Sequence, residues 1–277
     1  MQTQDPQAAA AKPSSTPRMP SIFVGHGSPM NAIADNAYTR TLRAWGAGLG
    51  RPRAIAVVSA HWLTEGGIRV ASTPTPATIH DFGGFPRQLY EQRYPAPGAP
   101  TWAERAAALL GAHFPTALDP GYGLDHGAWG VLAHLYPAAD VPTFQVSIDI
   151  TAPGADQLAA GRLLGALRDE GVLILASGNV THNLRAVHWQ AEATPRGLER
   201  WADEFDQAVR AALERGDDAA LADYRRLTPE AALAVPFADH YDPLLVARGA
   251  AGAHEPVRQV VEGFQHGTIS MRSVQWG

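Results

Sequence analysis

The chain has 277 residues, a formal net charge of -5 and a sequence pI near 6.1, so its charge gives no basic footprint for nucleic acid. It contains no cysteine, which excludes disulfides, iron–sulfur clusters and thiolate zinc sites and leaves His, Asp and Glu as metal ligands. No apolar run approaches the roughly 18 residues that a membrane-spanning helix needs.

The first 19 residues, MQTQDPQAAAAKPSSTPRM, are rich in Ala, Gln, Pro, Ser and Thr. They lack the apolar stretch of a secretory signal, so we predict a disordered tail over residues 1–19 and a single folded domain over residues 20–277. A cytoplasmic location is expected by default.

Along the rest of the chain strand-like runs alternate with helical runs. This pattern predicts an α/β domain with a mainly parallel central sheet flanked by helices. The predicted strands are SIFVG, AIAVVSA, GIRVAS, VPTFQVSI, VLILASG and the C-terminal TISMRSVQW. Helices are predicted near residues 36–48 and over 101–114, 154–171 and 197–217, the last with Leu198, Trp201, Phe205, Val209 and Leu213 on one apolar face. Residues 72–98, rich in proline and aromatic residues, form a long loop of the kind that binds ligands.

Histidines follow three of these predicted strands: His26 in GHGSP, His61 in SAHW and His182 in VTHN. In α/β sheets ligands collect beyond the carboxyl ends of the strands, so we expect these side chains to share a crevice. His126 in LDHGAWG and His240 in FADHYDPL have similar settings. Five histidines are therefore expected to face one cleft as a metal site, with a structural role as the alternative for each.

Neighbouring polar residues are expected to orient these rings. Four side chains around His182 are candidates for hydrogen bonds to it: Ser177, Asn179, Thr181 and Asn183. His126 has Asp125 beside it, and either Asp239 or Asp242 is an alternative metal ligand to His240. The remaining histidines are interpreted as structural or solvated: His80, His113, His134, His188, His254 and His266.

Seven motifs in order carry a family resemblance: HGSPM, SAHW, HDFGGFP, LDHGAWG, SGNVTHN, FADHYDPL and FQHGTISMRSVQW. Over residues 20–277 the chain resembles the class III extradiol ring-cleavage dioxygenases, in particular the 4,5-DOPA extradiol dioxygenase branch. The resemblance implies a divalent metal held by His26, His61 and His240, with His182 as acid/base and His126 positioning substrate and oxygen.

The implied reaction inserts dioxygen next to the diol of a catechol and gives a ring-opened muconic semialdehyde. Three neutral ligands leave the charge of the metal uncompensated, which favours a doubly deprotonated catechol. Fe(II) is the metal implied for activity, and Zn(II) is the alternative metal expected in the purified protein, because imidazole suits both. Two alternatives stay open: a zinc hydrolase with the same ligands, and a non-catalytic metal-binding relative.

The long loop is expected to bring His80, Phe82 and Phe85 against the substrate, because aromatic walls suit a planar ring. The motifs show no arginine placed to hold a carboxylate through two parallel hydrogen bonds, so a strongly anionic catechol is disfavoured as substrate. The partners implied are a small-molecule catechol and dioxygen, without nucleic acid or membrane, and the sequence does not predict the oligomeric state.

Overall fold

The computed structural model describes residues 17–277, so residues 1–16 of the predicted tail lie outside the described part of the chain. Met19, the last residue of that predicted tail, is buried, and its backbone N–H donates to the carbonyl of Arg168. The folded domain therefore includes Met19. Within the described residues no helix has the length and apolar character needed to cross a membrane.

The described residues form one α/β domain whose strands and helices alternate as the sequence predicts. The strands are β1 Ser21–Gly25, β2 Ala54–Thr64, β3 Ile68–Ala71, β4 Thr116–Asp119, β5 Thr143–Asp149, β6 Val172–Gly178, β7 Val257–Val261, β8 Phe264–Gln265, β9 Ile269–Ser270 and β10 Ser273–Trp276. The α-helices are α1 Ala37–Leu49, α2 Arg87–Tyr90, α3 Pro100–Leu110, α4 His126–Leu135, α5 Gly154–Leu164, α6 Ala166–Asp169, α7 Arg200–Arg215, α8 Asp218–Ala222, α9 Ala231–Ala234 and α10 Asp242–Ala250.

The main sheet has the strand order β4-β3-β5-β2-β6-β1-β10-β7. Its centre, β5-β2-β6-β1, is parallel throughout, whereas β3 joins β5 and β10 joins β1 antiparallel. The prediction of a mainly parallel sheet is confirmed. The carboxyl ends of β1, β2 and β6 consequently meet at one edge, where ligands of such sheets bind.

Both faces of the sheet are buried, which is why its strands consist of nearly continuous apolar residues. Alternate residues of one strand enter two different cores: Ile55 and Val57 pack on one side, and Ala54, Ala56 and Val58 on the other. A core on each face holds the central strands in fixed register, so the residues at their ends are positioned by rigid elements.

Three local predictions differ from the structure. The predicted helix over 154–171 is divided at Gly165 into α5 and α6. Leu198 precedes α7 and is 53% exposed, so it does not belong to the buried stripe of that helix. The predicted C-terminal strand is split into β9 and β10, with β7 as an additional edge strand beyond β10.

Strands β8 and β9 form a separate two-stranded hairpin over the carboxyl edge of the sheet. A buried ion pair between Arg272 and Asp206 anchors this hairpin to α7. Asp206 also accepts a hydrogen bond of 2.6 Å from Ser270 Oγ, within β9 itself. The hairpin is thus fixed to the domain through one carboxylate on a helix.

Candidate metal centre and substrate cavity

A cavity of about 370 Å³ lies at the carboxyl edge of the parallel strands, a volume suited to a small molecule. The five histidines that the sequence analysis singled out all line it: His26, His61, His126, His182 and His240. They come from five different places in the fold, which the parallel sheet brings together.

Each histidine has a distinct local setting. His26 directly follows β1, whereas His61 lies inside β2 and not after it, in a segment where the register with β5 shifts between Val58 and Leu63. His126 is the first residue of α4, and His240 ends a short 3₁₀ turn before α10.

The hydrogen-bond partners of His26 determine which of its ring nitrogens is free. Ser177 Oγ donates its single hydrogen to the carbonyl of Gly127 at 2.6 Å, because a carbonyl only accepts. Ser177 therefore accepts from His26 Nδ1, 3.0 Å away. The neutral His26 ring carries its hydrogen on Nδ1 and presents an unprotonated Nε2 to the cavity.

His61 places a second such nitrogen beside the first. Its Nε2 lies 3.2 Å from His26 Nε2, and its Nδ1 lies 3.4 Å from Asp81 Oδ2, which favours the hydrogen on Nδ1. Two lone pairs facing each other at this distance repel unless a cation lies between them. Two nitrogens that bind one metal ion at about 2.1 Å are about 3.0–3.4 Å apart, so the pair fits a shared ion.

His240 completes a nearly equilateral set of rings. The ring centroid of His240 lies 5.3 Å from that of His26 and 5.0 Å from that of His61, and those two are 5.1 Å apart. His240 Nδ1 is buried without a hydrogen-bond partner among the described residues. Asp239 Oδ1 is 3.2 Å from this nitrogen, but it accepts the backbone N–H of His240 at 2.8 Å and makes no hydrogen bond to the ring. An unpartnered buried nitrogen fits a metal ligand.

Other donor sets overlap with this one. Ligand atoms within 4.8 Å of one another form two groups, one of His26, His61 and His126 and one of His182, Asp239 and His240. The first group is uneven, since the His126 ring centroid is 4.0 Å from that of His61 and 5.7 Å from that of His26. The even spacing of the other three rings favours His26, His61 and His240 as the ligands. Asp239 lines the cavity and Asp242 does not.

Burial keeps these imidazoles neutral. Desolvation, reinforced by the neighbouring rings, lowers the pKa of His26 and His240 well below the ordinary value. Desolvation likewise lowers the pKa of His61 to about 3 and that of His182 to about 4. Neutral imidazole is the form that binds a metal ion or accepts a proton.

His126 is held by a carboxylate that the sequence analysis did not identify. Asp81 Oδ2 accepts from His126 Nδ1 at 2.9 Å, and Asp81 Oδ1 accepts from the His126 backbone N–H at 2.9 Å. Burial raises the pKa of Asp81, but the hydrogen bonds and charge of His126, with the charge of His61, outweigh it and lower this pKa to about 2. Asp125, the expected partner, instead accepts from Ser59 Oγ at 2.7 Å.

His182 is positioned by stacking. Its ring lies 3.5 Å from that of His240, with an interplanar angle of 7°. The four polar neighbours expected to orient it bond elsewhere: Ser177 to Gly127, Asn179 to Ser270, Thr181 to Thr268 and Asn183 to Leu233. Within the described residues the His182 ring nitrogens have no hydrogen bond, so they are available to a ligand.

The cavity walls are aromatic and aliphatic. Phe82 and Phe85 line the cavity as the sequence predicts, but His80 lies behind Phe82 and its Nε2 is 3.1 Å from the carbonyl of Gln92. The carbonyl of Gln92 and the rings of Tyr90 and Trp129 hold His80 away from the cavity.

Sequence reasoning missed several lining residues: Asp81, Leu184, Trp189, His266 and Ile269. The only signal for Asp81 and His266 is that both lie within the motifs HDFGGFP and FQHGTISMRSVQW.

Comparisons with known proteins identify the family of this chain. Residues 15–273 match the family described as the catalytic LigB subunit of aromatic ring-opening dioxygenase. The chain is 49% identical to a 4,5-DOPA dioxygenase extradiol of Escherichia coli K12 over 95% of this chain and 96% of that one. It is 37% identical to the 4,5-DOPA dioxygenase extradiol of Beta vulgaris, over 92% and 95% of the two chains.

The crystal structure of an uncharacterized Escherichia coli K12 protein superposes with a TM-score of 0.81 at 44% identity, covering 94% of this chain and all of that one. The resemblance recognised in the seven motifs is thereby confirmed. The chain is an extradiol ring-cleavage dioxygenase and belongs to the LigB family of catalytic subunits of aromatic ring-opening dioxygenases.

Proposed function

We propose that this protein uses a divalent metal to open a substituted catechol of the 4,5-DOPA type, and that the product is a muconic semialdehyde. The observation that carries the proposal is the pair of unprotonated Nε2 atoms of His26 and His61, 3.2 Å apart in a cavity walled by phenylalanines. The substrate class is supported by the relatives named 4,5-DOPA dioxygenase extradiol.

In this proposal His26, His61 and His240 hold the metal, which is Fe(II) in the active enzyme. When bound, Fe(II) supplies the redox chemistry for dioxygen that Zn(II) lacks. Imidazole binds both ions, so protein purified in air is expected to contain zinc or a mixture of metals. Because the three ligands are neutral, the site favours a catechol that has lost both hydroxyl protons.

We propose that His182 transfers a proton from a hydroxyl of the catechol. Its ring nitrogens are free of hydrogen bonds to the described residues, and its ring stacks on that of His240 beside the metal position. A catechol bound there places a hydroxyl within reach of His182, which accepts the proton and later returns it to the ring-opened product.

His126 is proposed to orient the catechol and dioxygen. Its Nδ1 is engaged by Asp81, so in the neutral ring Nε2 is an acceptor for a substrate hydroxyl. The edge of Phe82 packs against the His126 ring at a centroid distance of 5.5 Å, which places an aromatic wall next to this acceptor. A hydrogen-bond acceptor and an aromatic wall are thus adjacent in the cavity, an arrangement that suits a hydroxylated ring.

The charge of the cavity restricts the substituent on the ring. Its lining includes the carboxylates of Asp81 and Asp239 and contains no Lys or Arg among the described residues. A catechol with two carboxylates has no cationic partner there, so a singly substituted catechol such as DOPA or caffeic acid is preferred. The proposed partners are this catechol and dioxygen, and a cytoplasmic location stays a prediction from the sequence.

The test compares two metal forms of one preparation. Metal-free protein is loaded anaerobically with Fe(II) or Zn(II), and oxygen uptake and the yellow semialdehyde are measured with L-DOPA. The Fe(II) form should consume oxygen and the Zn(II) form should not. Equal oxygen uptake by the two forms would contradict an iron-dependent dioxygenase, and an iron-loaded protein that consumes no oxygen would favour a zinc hydrolase or a binding relative.

A further inference from the structure

We propose that Asp81 is a positioning residue that holds both His61 and His126 with Nε2 directed into the cavity. Through these contacts Asp81 connects the long loop of residues 72–98 to the metal centre. The inference rests on the proposed metal site, and it concerns a residue outside the ligand set. Asp81 is the residue immediately before the cavity wall Phe82.

The Asp81 carboxylate faces three N–H groups. Asp81 accepts the ring N–H and the backbone N–H of His126, each at 2.9 Å, and its Oδ2 is 3.4 Å from His61 Nδ1. The carboxylate is the only type of side chain that accepts at both oxygens and donates at neither. The hydrogen bond fixes the His126 ring with hydrogen on Nδ1, and the negative charge beside His61 Nδ1 favours the same form there. This form leaves Nε2 of each ring for a metal or a substrate.

No cation competes for this carboxylate among the described residues. The side chains nearest the Asp81 carboxylate are the imidazoles of His61 and His126, whereas most other acidic side chains in close contact with a basic group are matched with arginine. The Asp81 side chain is 24% exposed, and its negative charge lies at the N-terminus of α4, where an amide without a partner in the helix is available. The helix, the ring and the loop are therefore joined at one group.

The loop around Asp81 is anchored on its other side as well. Trp129, one turn into α4, donates from Nε1 to the carbonyl of Ile79 at 2.8 Å. Ile79 and Asp81 thus connect the loop to the same helix at two points. Phe82 follows from this anchored segment, so a shift of Asp81 moves the wall, the substrate-orienting ring and a metal ligand together.

The variant Asp81→Asn tests the inference because it preserves shape but leaves one accepting oxygen for three donors. Zinc affinity is measured by competition with a chelator, a readout that does not require ring cleavage. We expect the Kd for Zn(II) to rise about 10–100-fold, the usual effect of losing a carboxylate that orients a metal-bound histidine. The matched control Asp140→Asn removes a surface carboxylate paired with Arg51 and should leave this Kd within about twofold.

One further variant and a stability measurement separate positioning from charge and from folding. Asp81→Glu keeps the charge but moves the oxygens, so it should also bind zinc more weakly. Wild-type affinity in this variant would overturn the inference, as would a Kd of Asp81→Asn within about twofold of wild type. The unfolding temperature of each metal-free variant is measured, and a loss of stability large enough to account for the weaker affinity would also overturn it.

Measurement of kcat tests the inference independently of zinc binding. If Asp81 acts on catalysis through His126, Asp81→Asn alone should lower kcat at saturating metal. The same substitution should not lower kcat further in a protein that already carries His126→Ala. An equal loss in both backgrounds would contradict this route. Should the iron-loaded wild type cleave no catechol, the proposed function fails, and the zinc titration still decides whether Asp81 positions His61.

Discussion

The imidazole rings of His182 and His240 lie face to face, with centroids 3.5 Å apart and planes that differ by 7°. The proposed acid/base and a proposed metal ligand thus occupy neighbouring positions in one stack. Two stacked cations would repel each other, and burial lowers the pKa of both rings, so the stack is neutral in the resting protein. A proton taken from substrate by His182 consequently stays next to the metal centre and available for return.

The first prediction separates chemistry from metal binding. His182→Ala should keep the zinc affinity, because His182 is not one of the three proposed ligands, but should lower kcat by about 10²–10⁴-fold, the range for a positioned acid/base. The comparison variant is His188→Ala, which removes an exposed histidine paired with Glu199. A loss of less than tenfold in the His182 variant would assign it a structural role.

The second prediction concerns the ligands. His26→Ala, His61→Ala and His240→Ala should each remove most bound metal while the circular dichroism of the fold is retained, because the two cores on the sheet faces do not depend on the ion. Elemental analysis measures the occupancy, with the exposed His113→Ala as the control. Full occupancy in His240→Ala would transfer the third ligand position to Asp239, which lines the same cavity.

The third prediction is a pH dependence of the metal-free protein. The buried imidazoles have a lower pKa in the folded protein than their ordinary 6.5, to about 3 for His61 and about 4 for His182. Between these values the unfolded chain binds more protons than the folded one, so the free energy of unfolding falls as pH decreases from 6.5 towards 4. Each such histidine adds a slope of up to about 1.4 kcal/mol per pH unit.

Urea unfolding of metal-free protein between pH 7 and 5 measures this slope. The His61→Gln variant should show a shallower slope than the wild type, because one proton-binding group is removed. A wild-type free energy of unfolding that is constant over this range would contradict the neutral state of the buried cluster.

The fourth prediction concerns substrate choice. With the Fe(II) protein, DOPA and caffeic acid should be cleaved with a higher kcat/KM than a dicarboxylated catechol, because the cavity lacks a cationic clamp for a second carboxylate. The proposed substrate class also implies a higher kcat/KM for DOPA than for protocatechuate. Phe82→Ala should raise KM for DOPA about 2–12-fold, the equivalent of the 0.5–1.5 kcal/mol of an aromatic contact. Products are identified by mass and absorbance. A preference for protocatechuate, or a muconate formed by cleavage between the hydroxyls, would refute the substrate assignment.

The sequence predicted the strands of the sheet centre well, because strands buried on both faces are short apolar runs that end at glycine or serine. Their parallel order places His26 and His182 at one edge, so the cluster was also accessible from the sequence. The contacts of Asp81 could not be predicted from the sequence, because they depend on how a long loop returns over the sheet. Loop geometry follows from side-chain hydrogen bonds, such as that of Trp129, and leaves no periodic pattern.

The edge strand β7 and the division of the C-terminal segment were missed for a different reason. Residues 257–261 carry an Arg and a Gln, and the strand is partly exposed, so the apolar alternation is weak. The short β9 and β10 are separated by Met271 and Arg272, and Arg272 turns inward to reach Asp206. An arginine that pairs with a distant carboxylate cannot be distinguished from a surface residue by its neighbours in sequence.

The buried pair of Asp206 and Arg272 makes the two walls of the cavity unequal in their tolerance of mutation. The hairpin wall, with His266 and Ile269, depends on an ion pair whose loss leaves an uncompensated charge in the core, at a cost of about 3–5 kcal/mol. The loop wall of Phe82 and Phe85 packs on the core through apolar contacts and holds no buried ion pair among the described residues. Adaptation of this scaffold to a new aromatic compound therefore proceeds most readily at these two phenylalanines, where a change of shape leaves no buried charge without a partner.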